Sequence, residues 1–300
     1  LTLKAESDPP EREKREPEKT PPSRQKDIVD LRLETLLPRS GAELLVEAVR
    51  AACGGRGKRI RPTLAMLSAA HFGGRELAAL DFGCALEMVH AASLILDDLP
   101  CMDDAAMRRG QPALHRRFGE DVAVLSAVAL LNQAYALIAA DEALPAATRL
   151  CLSGLVSSAV GFGGLVEGQI RDLRDPPSHR GEAALTSLNH QKTGKLFVAA
   201  LEGGAVIAGA GGAERVTACL FADRLGFAFQ LCDDLLDSTA SQETLGKDVL
   251  QDEGRITFVS LWGEARTRAT IKLAIEEAVT AIGGPDRPLA AYALALLPPV

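Results

Sequence analysis

The chain has 300 residues, 47% of them hydrophobic, enough to bury a substantial core, and carries a formal net charge of -7. An acidic balance of this kind excludes a general electrostatic footprint for nucleic acid, so any anion site must be a local cluster of basic residues. Six cysteines, at 53, 84, 101, 151, 219 and 232, show no CxxC spacing and several lie in apolar runs, the pattern of reduced core cysteines in a cytoplasmic setting.

Residues 1–28 are charged and proline-rich, with Pro9, Pro10, Pro17, Pro21 and Pro22 among Lys, Arg and Glu. This segment is predicted to be a disordered tail, and it lacks the apolar stretch of a secretory signal. Residues 29–300 read as one large all-α domain: long Ala/Leu-rich segments broken by Gly, Pro and polar clusters, with few β-branched alternations. Helices are predicted near 28–37, 40–53, 58–71, 75–99, 119–141, 145–171, 181–190, 193–210, 213–237, 255–263 and 264–282. Two apolar stretches, 121–140 and 196–213, approach membrane-span length. Asn132, Gln133 and Glu202 interrupt them, so both are read as core helices and no transmembrane segment is predicted.

Gly57-Lys58-Arg59-Ile60-Arg61-Pro62 packs three cations into four residues at a predicted helix start, where free N–H groups also favour anions; Lys58 and Arg61 share a face. The next helix ends in a burst of carboxylates, Asp97-Asp98-Leu99-Pro100-Cys101-Met102-Asp103-Asp104, and Pro100 should stop it. His90 lies on the same helix face as Asp97, about 10 Å of rise earlier. Arg108-Arg109-Gly110 follows at once, bringing guanidinium forks within reach of a metal-bound phosphate. Lys192-Thr193-Gly194 adds another small basic group. A second acidic cluster, Gln230-Leu231-Cys232-Asp233-Asp234-Leu235-Leu236-Asp237, is predicted to close a second apolar helix, with Asp233 and Asp237 one turn apart and Gln230 on the same side. Gly246-Lys247-Asp248 and Arg255 lie beyond it. An acidic helix end is commonly a solvated one, but two on apolar helices, each accompanied by cations, point to a hard divalent cation shared with a polyphosphate. Zinc is disfavoured, because no Cys or His pairs stand at ligand spacing beside the acids.

Taken together, GKRIRP at 57–62, EMVHAASLILDDLPCMDDAAMRRGQPALH at 87–115, GLVEGQIRDL at 164–173, HQKTGKLF at 190–197, FQLCDDLLD at 229–237 and GKD at 246–248 resemble the trans-isoprenyl diphosphate synthases, in particular the bacterial carotenoid-pathway geranylgeranyl diphosphate synthases. The resemblance spans about residues 40 to 263. It implies a helical bundle around a deep central cavity, usually as a homodimer, that joins isopentenyl diphosphate to an allylic diphosphate with Mg²⁺, three ions per site. By the same resemblance Asp97, Asp98 and Asp103 form the first metal motif and Asp233, Asp234 and Asp237 the second. Gly57, Lys58, Arg61, His90 and Arg109 correspond to the isopentenyl diphosphate contacts, and Arg108, Lys192, Thr193, Gln230, Lys247 and Arg255 to the allylic ones. Arg255 stands where the family commonly has Lys, keeping the charge with a different shape. The residues five and four before Asp97, Ala92 and Ser93, correspond to the floor that limits product length, with Met88 a turn deeper. Their small size favours a C20 product over farnesyl diphosphate. Both aspartate motifs are present, unlike in non-catalytic subunits of heteromeric synthases.

Overall fold

The computed structural model describes residues 21–54, 57–176, 179–243 and 256–297. In chain order the helices are α1 (Pro21–Leu36), α2 (Glu43–Gly54), α3 (Ile60–His71), α4 (Leu80–Asp97), α5 (Leu114–Phe118), α6 (Glu120–Ala140), α7 (Ala146–Val160), α8 (Leu165–Arg174), α9 (Glu182–Asn189), α10 (Lys195–Ile207), α11 (Gly212–Glu243), α12 (Phe258–Trp262), α13 (Glu264–Ala281) and α14 (Pro288–Leu296). A single π turn, His190–Gly194, joins α9 to α10. Two-residue strands, β1 (Met107–Arg108) and β2 (Gln111–Pro112), pair antiparallel in a hairpin after α4.

The core forms around two apolar helices, α4 and α10. Helix α4 packs on α6 and α3, while α10 packs on α3, α11 and α7. Leu86, Met88, Ala92, Leu196, Phe197 and Phe221 are all buried between these helices. Helices α3 and α10 meet backbone to backbone. Ser68 Oγ donates to the Leu201 carbonyl at 2.6 Å, and a Cβ at Gly204 would lie 2.4 Å from the Ala65 carbonyl oxygen. Only glycine permits that approach.

Several predicted boundaries move, each for a physical reason. Helix α1 starts at Pro21 rather than near 28, so residues 21–28 belong to a helix and not to a tail. Proline is tolerated in a first turn, and Gln25, Val29, Leu33 and Leu37, four apart, form a buried stripe. Arg32 then fastens this helix to Asp81 by two bonds of 2.7 Å. The predicted helix 145–171 is two helices, broken at Gly161–Gly164. Helix α11 runs through the second acidic cluster to Glu243 and does not close at Asp237. No Gly or Pro follows Asp237 until Gly246, so nothing in the chain stops it there. Helices α5 and α14, the hairpin and the π turn add to the predicted set.

Three helical stretches are long and apolar enough to cross a membrane: Glu76–Asp97, Glu120–Ala140 and Ala146–Arg174. The predicted stretch 196–213 is instead divided between α10 and the start of α11. All six cysteines are free, and only Cys101 is exposed.

Replacing Gly204 with Ala should destabilise the protein by about 1–3 kcal/mol, because the new methyl group has no room between α3 and α10. A lowered urea midpoint with an unchanged m-value is the expected result.

Candidate active site

Helix α4 stops at Asp97 as the proline dictates, and the chain folds back over its end. The amides of Asp103, Asp104 and Ala105 donate to the carbonyls of Asp97, Leu99 and Asp98 at 2.9, 3.1 and 3.2 Å. Carbonyls that a helix end normally leaves open are thereby satisfied, and the acidic turn is held against α4. Asp98 is buried and gripped by Arg108, whose Nε lies 2.9 and 3.1 Å from its two carboxylate oxygens and whose Nη2 reaches Oδ1 as well. Asp97 is in a different condition. Burial pushes its carboxyl up to about 6, with Asp103 and Asp98 adding to the rise and Lys192 and Arg108 opposing it. A desolvated carboxylate with acids around it favours a cation.

The second cluster lies in the body of α11, so the C-terminal end of the helix dipole does not act on it. Gln230 is its organiser. It accepts from Thr193 Oγ1 at 3.2 Å and donates to Asp234 Oδ1 at 3.1 Å. The other oxygen of Asp234 accepts from the amide of Phe258 at 3.1 Å, which ties α11 to α12. Asp233 is half-buried and acts on Arg61. The side chain of Asp237, and Lys247 and Arg255 as whole residues, lie outside the described residues.

Between the two clusters sits the π turn. π turns are rare and occur mostly at functional sites. Lys192 donates to Asp172 on α8 at 2.8 Å, and Arg180 contacts the other oxygen of that carboxylate at 3.4 Å. From there the Lys192 ammonium acts on Asp97, while the neighbouring Thr193 bonds to Gln230. Both acidic clusters therefore face one short turn.

Two turns down α4 the potential is reversed. Arg109 Nη2 lies 3.4 Å from His90 Nε2, and the Arg61 guanidinium stands 5.5 Å above the Phe197 ring. Gly57 is buried beneath them, and a Cβ there would come within 2.9 Å of the Arg59 guanidinium and 3.2 Å of that of Arg109. Lys58 is exposed at the same loop. Burial, then Arg61, Arg109 and Arg108, hold the His90 imidazole well below its ordinary 6.5 and keep it neutral. Arg61 is itself lowered to about 10, first by burial, with Arg109 adding to the fall and Glu87 and Asp233 resisting it. Cations crowded until they depress one another form a site for an anion.

The structure thus brings together Asp97, Asp98, Asp103, Arg108, Lys192, Thr193, Gln230, Asp233 and Asp234 around the π turn, and Gly57, Lys58, Arg61, His90 and Arg109 around the loop before α3. Met88 and Ala92 are fully buried on α4, and Ser93 bonds back to the His90 carbonyl at 2.9 Å. Two carboxylates that hold cations of the site region were missed. Asp172 holds Lys192, and its signal is the acid in GLVEGQIRDL at 164–173. Glu87 holds Arg59 at 2.8 Å, and its signal is a lone acid inside the apolar run of α4. Among the described residues no three His, Cys, Asp or Glu side chains are gathered closely enough to hold a metal by themselves. Such a site suits Mg²⁺, which takes one or two carboxylates and completes its shell with water and substrate phosphate.

An all-α bundle with two facing acid clusters and an adjoining cationic pocket defines a trans-prenyltransferase of the isoprenoid synthase fold. The Polyprenyl synthetase family matches residues 42–281, and the chain belongs to it. It is 45% identical over 256 residues to a geranylgeranyl diphosphate synthase of Pantoea ananas, covering 83% of each chain. A second geranylgeranyl diphosphate synthase, from Pseudescherichia vulneris, is 44% identical over 253 residues, covering 83% of this chain and 81% of that one. Among solved structures, an FPP/GFPP synthase from Zymomonas mobilis is similar with a TM-score of 0.79 and 32% identity over 90% of this chain and 94% of that one. A geranyltransferase from Legionella pneumophila gives 0.80 and 27% over 91% and 93%.

The depressed His90 value carries a pH prediction. Below pH 6.5 the unfolded chain takes up a proton that the folded chain refuses, so this contribution to stability is complete above 6.5 and is lost as pH falls from there. Asp97, raised to about 6, opposes this over the same range, so the check is comparative: between pH 7.5 and 5.5 the urea midpoint should fall further in the wild type than in His90→Gln.

Proposed function

We propose that the protein condenses isopentenyl diphosphate with allylic diphosphates, dimethylallyl, geranyl and farnesyl, and releases geranylgeranyl diphosphate. The observation that carries this reading is the π turn, whose Lys192 faces Asp97 while its Thr193 is bonded through Gln230 to the second aspartate cluster. The C20 product rests on the two geranylgeranyl diphosphate synthases at 44–45% identity and on small residues at 92 and 93.

Asp97, Asp98, Asp103, Asp233 and Asp237 would hold Mg²⁺, three ions per site, with Asp234 keeping Gln230 and α12 in place. The metal, when bound, neutralises the allylic diphosphate and stabilises the charge that builds on it as its C–O bond breaks. Arg108, Lys192, Thr193, Gln230, Lys247 and Arg255 would bind that diphosphate. In the unliganded protein Arg108 and Lys192 rest on Asp98 and Asp172, so both cations are already near the place of need. Fixed cations stabilise developing negative charge without reorganising. Gly57, Lys58, Arg61, His90 and Arg109 would hold isopentenyl diphosphate with its double bond toward the allylic C1, and this positioning supplies much of the acceleration. The alkene π electrons form the new C–C bond to the allylic cation, and loss of a proton to the departing diphosphate restores the double bond. Growth of the chain would end where Ala92, Ser93 and Met88 close the cavity.

A homodimer fits the exposed apolar residues on neighbouring helices: Leu125 (59%) and Val128 (50%) on α6, Leu150 (76%) on α7 and Phe162 (98%) beyond it. Patches of this kind mark association surfaces, and the long apolar helices α6 and α7 are read as that interface while α4 is core. The free cysteines support a reducing, cytoplasmic setting.

Asp97→Ala and Asp233→Ala should each lower kcat by two or more orders of magnitude with the helical circular dichroism unchanged. Near-normal turnover in both, measured with Mg²⁺, labelled isopentenyl diphosphate and each allylic primer, overturns the assignment. With the same assay, Ala92→Phe should shorten the product below C20; an unchanged product distribution would place the floor elsewhere.

A further inference from the structure

A cavity of about 1040 Å³ opens between α1, α2, α4 and the β1–β2 hairpin. Asp98, Arg108 and Arg109 border it, but Asp97, Asp103, His90, Lys192 and the second aspartate cluster do not. Its α4 wall is Ala91, Leu94, Ile95 and Asp98, the stripe adjacent to the one bearing His90, Ser93 and Asp97, and Met88 and Ala92 do not line it. Leu33 of α1 and Leu37, just beyond it, also line the cavity.

The mouth is cationic. Arg50 of α2, Arg117 of α5 and Arg109 of the hairpin line it with Arg59 and Arg108, against three carboxylates, Asp30, Glu34 and Asp98, of which Asp30 is engaged by Arg59 at 2.7 Å and Asp98 by Arg108. Arg50 reaches Glu34 only at 3.4 Å, and its Nη1 is buried with no hydrogen-bond partner. A buried guanidinium nitrogen without an acceptor is costly. The chamber sets an apolar side (Leu33, Leu37, Leu94, Ile95) against a side of charged groups, and its volume lies at the upper end of the range of ligand sites.

We infer that this cavity binds a long-chain anionic amphiphile, with the hydrocarbon along Leu33, Leu37, Leu94 and Ile95 and a phosphate or diphosphate head against Arg50, Arg117 and Arg109. The head group and the isopentenyl diphosphate site proposed above draw on the same Arg109, so an occupant of the cavity acts on the catalytic pocket through the hairpin. That coupling rests on the proposed function; the binding itself does not.

Titration calorimetry on the full chain in EDTA, where magnesium-bridged diphosphate binding is suppressed, tests it with dodecyl phosphate below its micellar concentration. Saturable binding at one site per chain is expected, with dodecanol and inorganic pyrophosphate each binding at least tenfold more weakly. Arg50→Glu combined with Arg117→Glu should weaken dodecyl phosphate at least tenfold and leave kcat for prenyl transfer in Mg²⁺ unchanged. Leu94→Trp, which fills the chamber and keeps every charge, should weaken it similarly. Lys192→Ala should leave it unaltered. Equal affinity in the wild type and both cavity variants, binding lost in Lys192→Ala, or pyrophosphate matching dodecyl phosphate overturns the proposal. Absence of prenyl transfer in a wild type that binds dodecyl phosphate as expected overturns the proposed function alone.

Discussion

Arg59 is the fixed point of the molecule. Its side chain is 2% exposed, yet it is charged, with Nη1 2.8 Å from Glu87, Nε 2.7 Å from Asp30 and Nη2 2.7 Å from the Cys53 carbonyl. One guanidinium thus joins α1, the end of α2, the start of α3 and the middle of α4. Burial works against the charge, but Glu87 and Asp30 outweigh it, and the net value lies above the ordinary arginine value. The residue pays with a left-handed backbone, φ 50°, that side chains of its kind avoid. Such strain costs of order 1–3 kcal/mol and persists only where the surroundings over-determine it. Losing one partner of a buried ion pair typically costs about 3–5 kcal/mol. Arg59 therefore holds the loop in place, and its neighbours Lys58 and Arg61 are left to face an anion.

Two opposed electrostatic regions then share α4. Around Asp97 a buried carboxylate is raised toward neutrality by burial and other acids. Around His90, burial and then the surrounding guanidiniums keep an imidazole neutral. Each region is unfavourable alone, and each would be relieved by a ligand of the opposite sign, as proteins commonly prepare for charged substrates.

Much of this was legible in the chain. Pro100 after a long apolar run located the end of α4, and the paired acidic clusters with nearby Arg and Lys identified the chemistry. Other features were not, for identifiable reasons. The end of a helix can be read only where a breaker stands, and none follows Asp237, so α11 ran past its predicted end. A π turn inserts one residue without disturbing composition, so HQKTG read only as the gap between the predicted helices 181–190 and 193–210. The three cations of GKRIRP look alike in sequence, but Arg59 points inward because Glu87 awaits it from a distant helix. Asp172 becomes meaningful only once α8 lies beside the turn bearing Lys192. Partners far apart in sequence leave no local periodicity to detect.

The hairpin after α4 turns through two residues with positive φ, Arg109 at 52° and Gly110 at 77°, the conformation that fits the natural twist of paired strands. Arg108, the last residue of its strand, clasps Asp98, whereas the adjacent Arg109 approaches His90. Successive α-carbons are about 3.8 Å apart, so a single peptide unit acts as a ruler between the acid-rich and base-rich halves of the cleft. The hairpin fixes the two backbone positions to one another, and each long side chain then carries its guanidinium to a different half of the cleft.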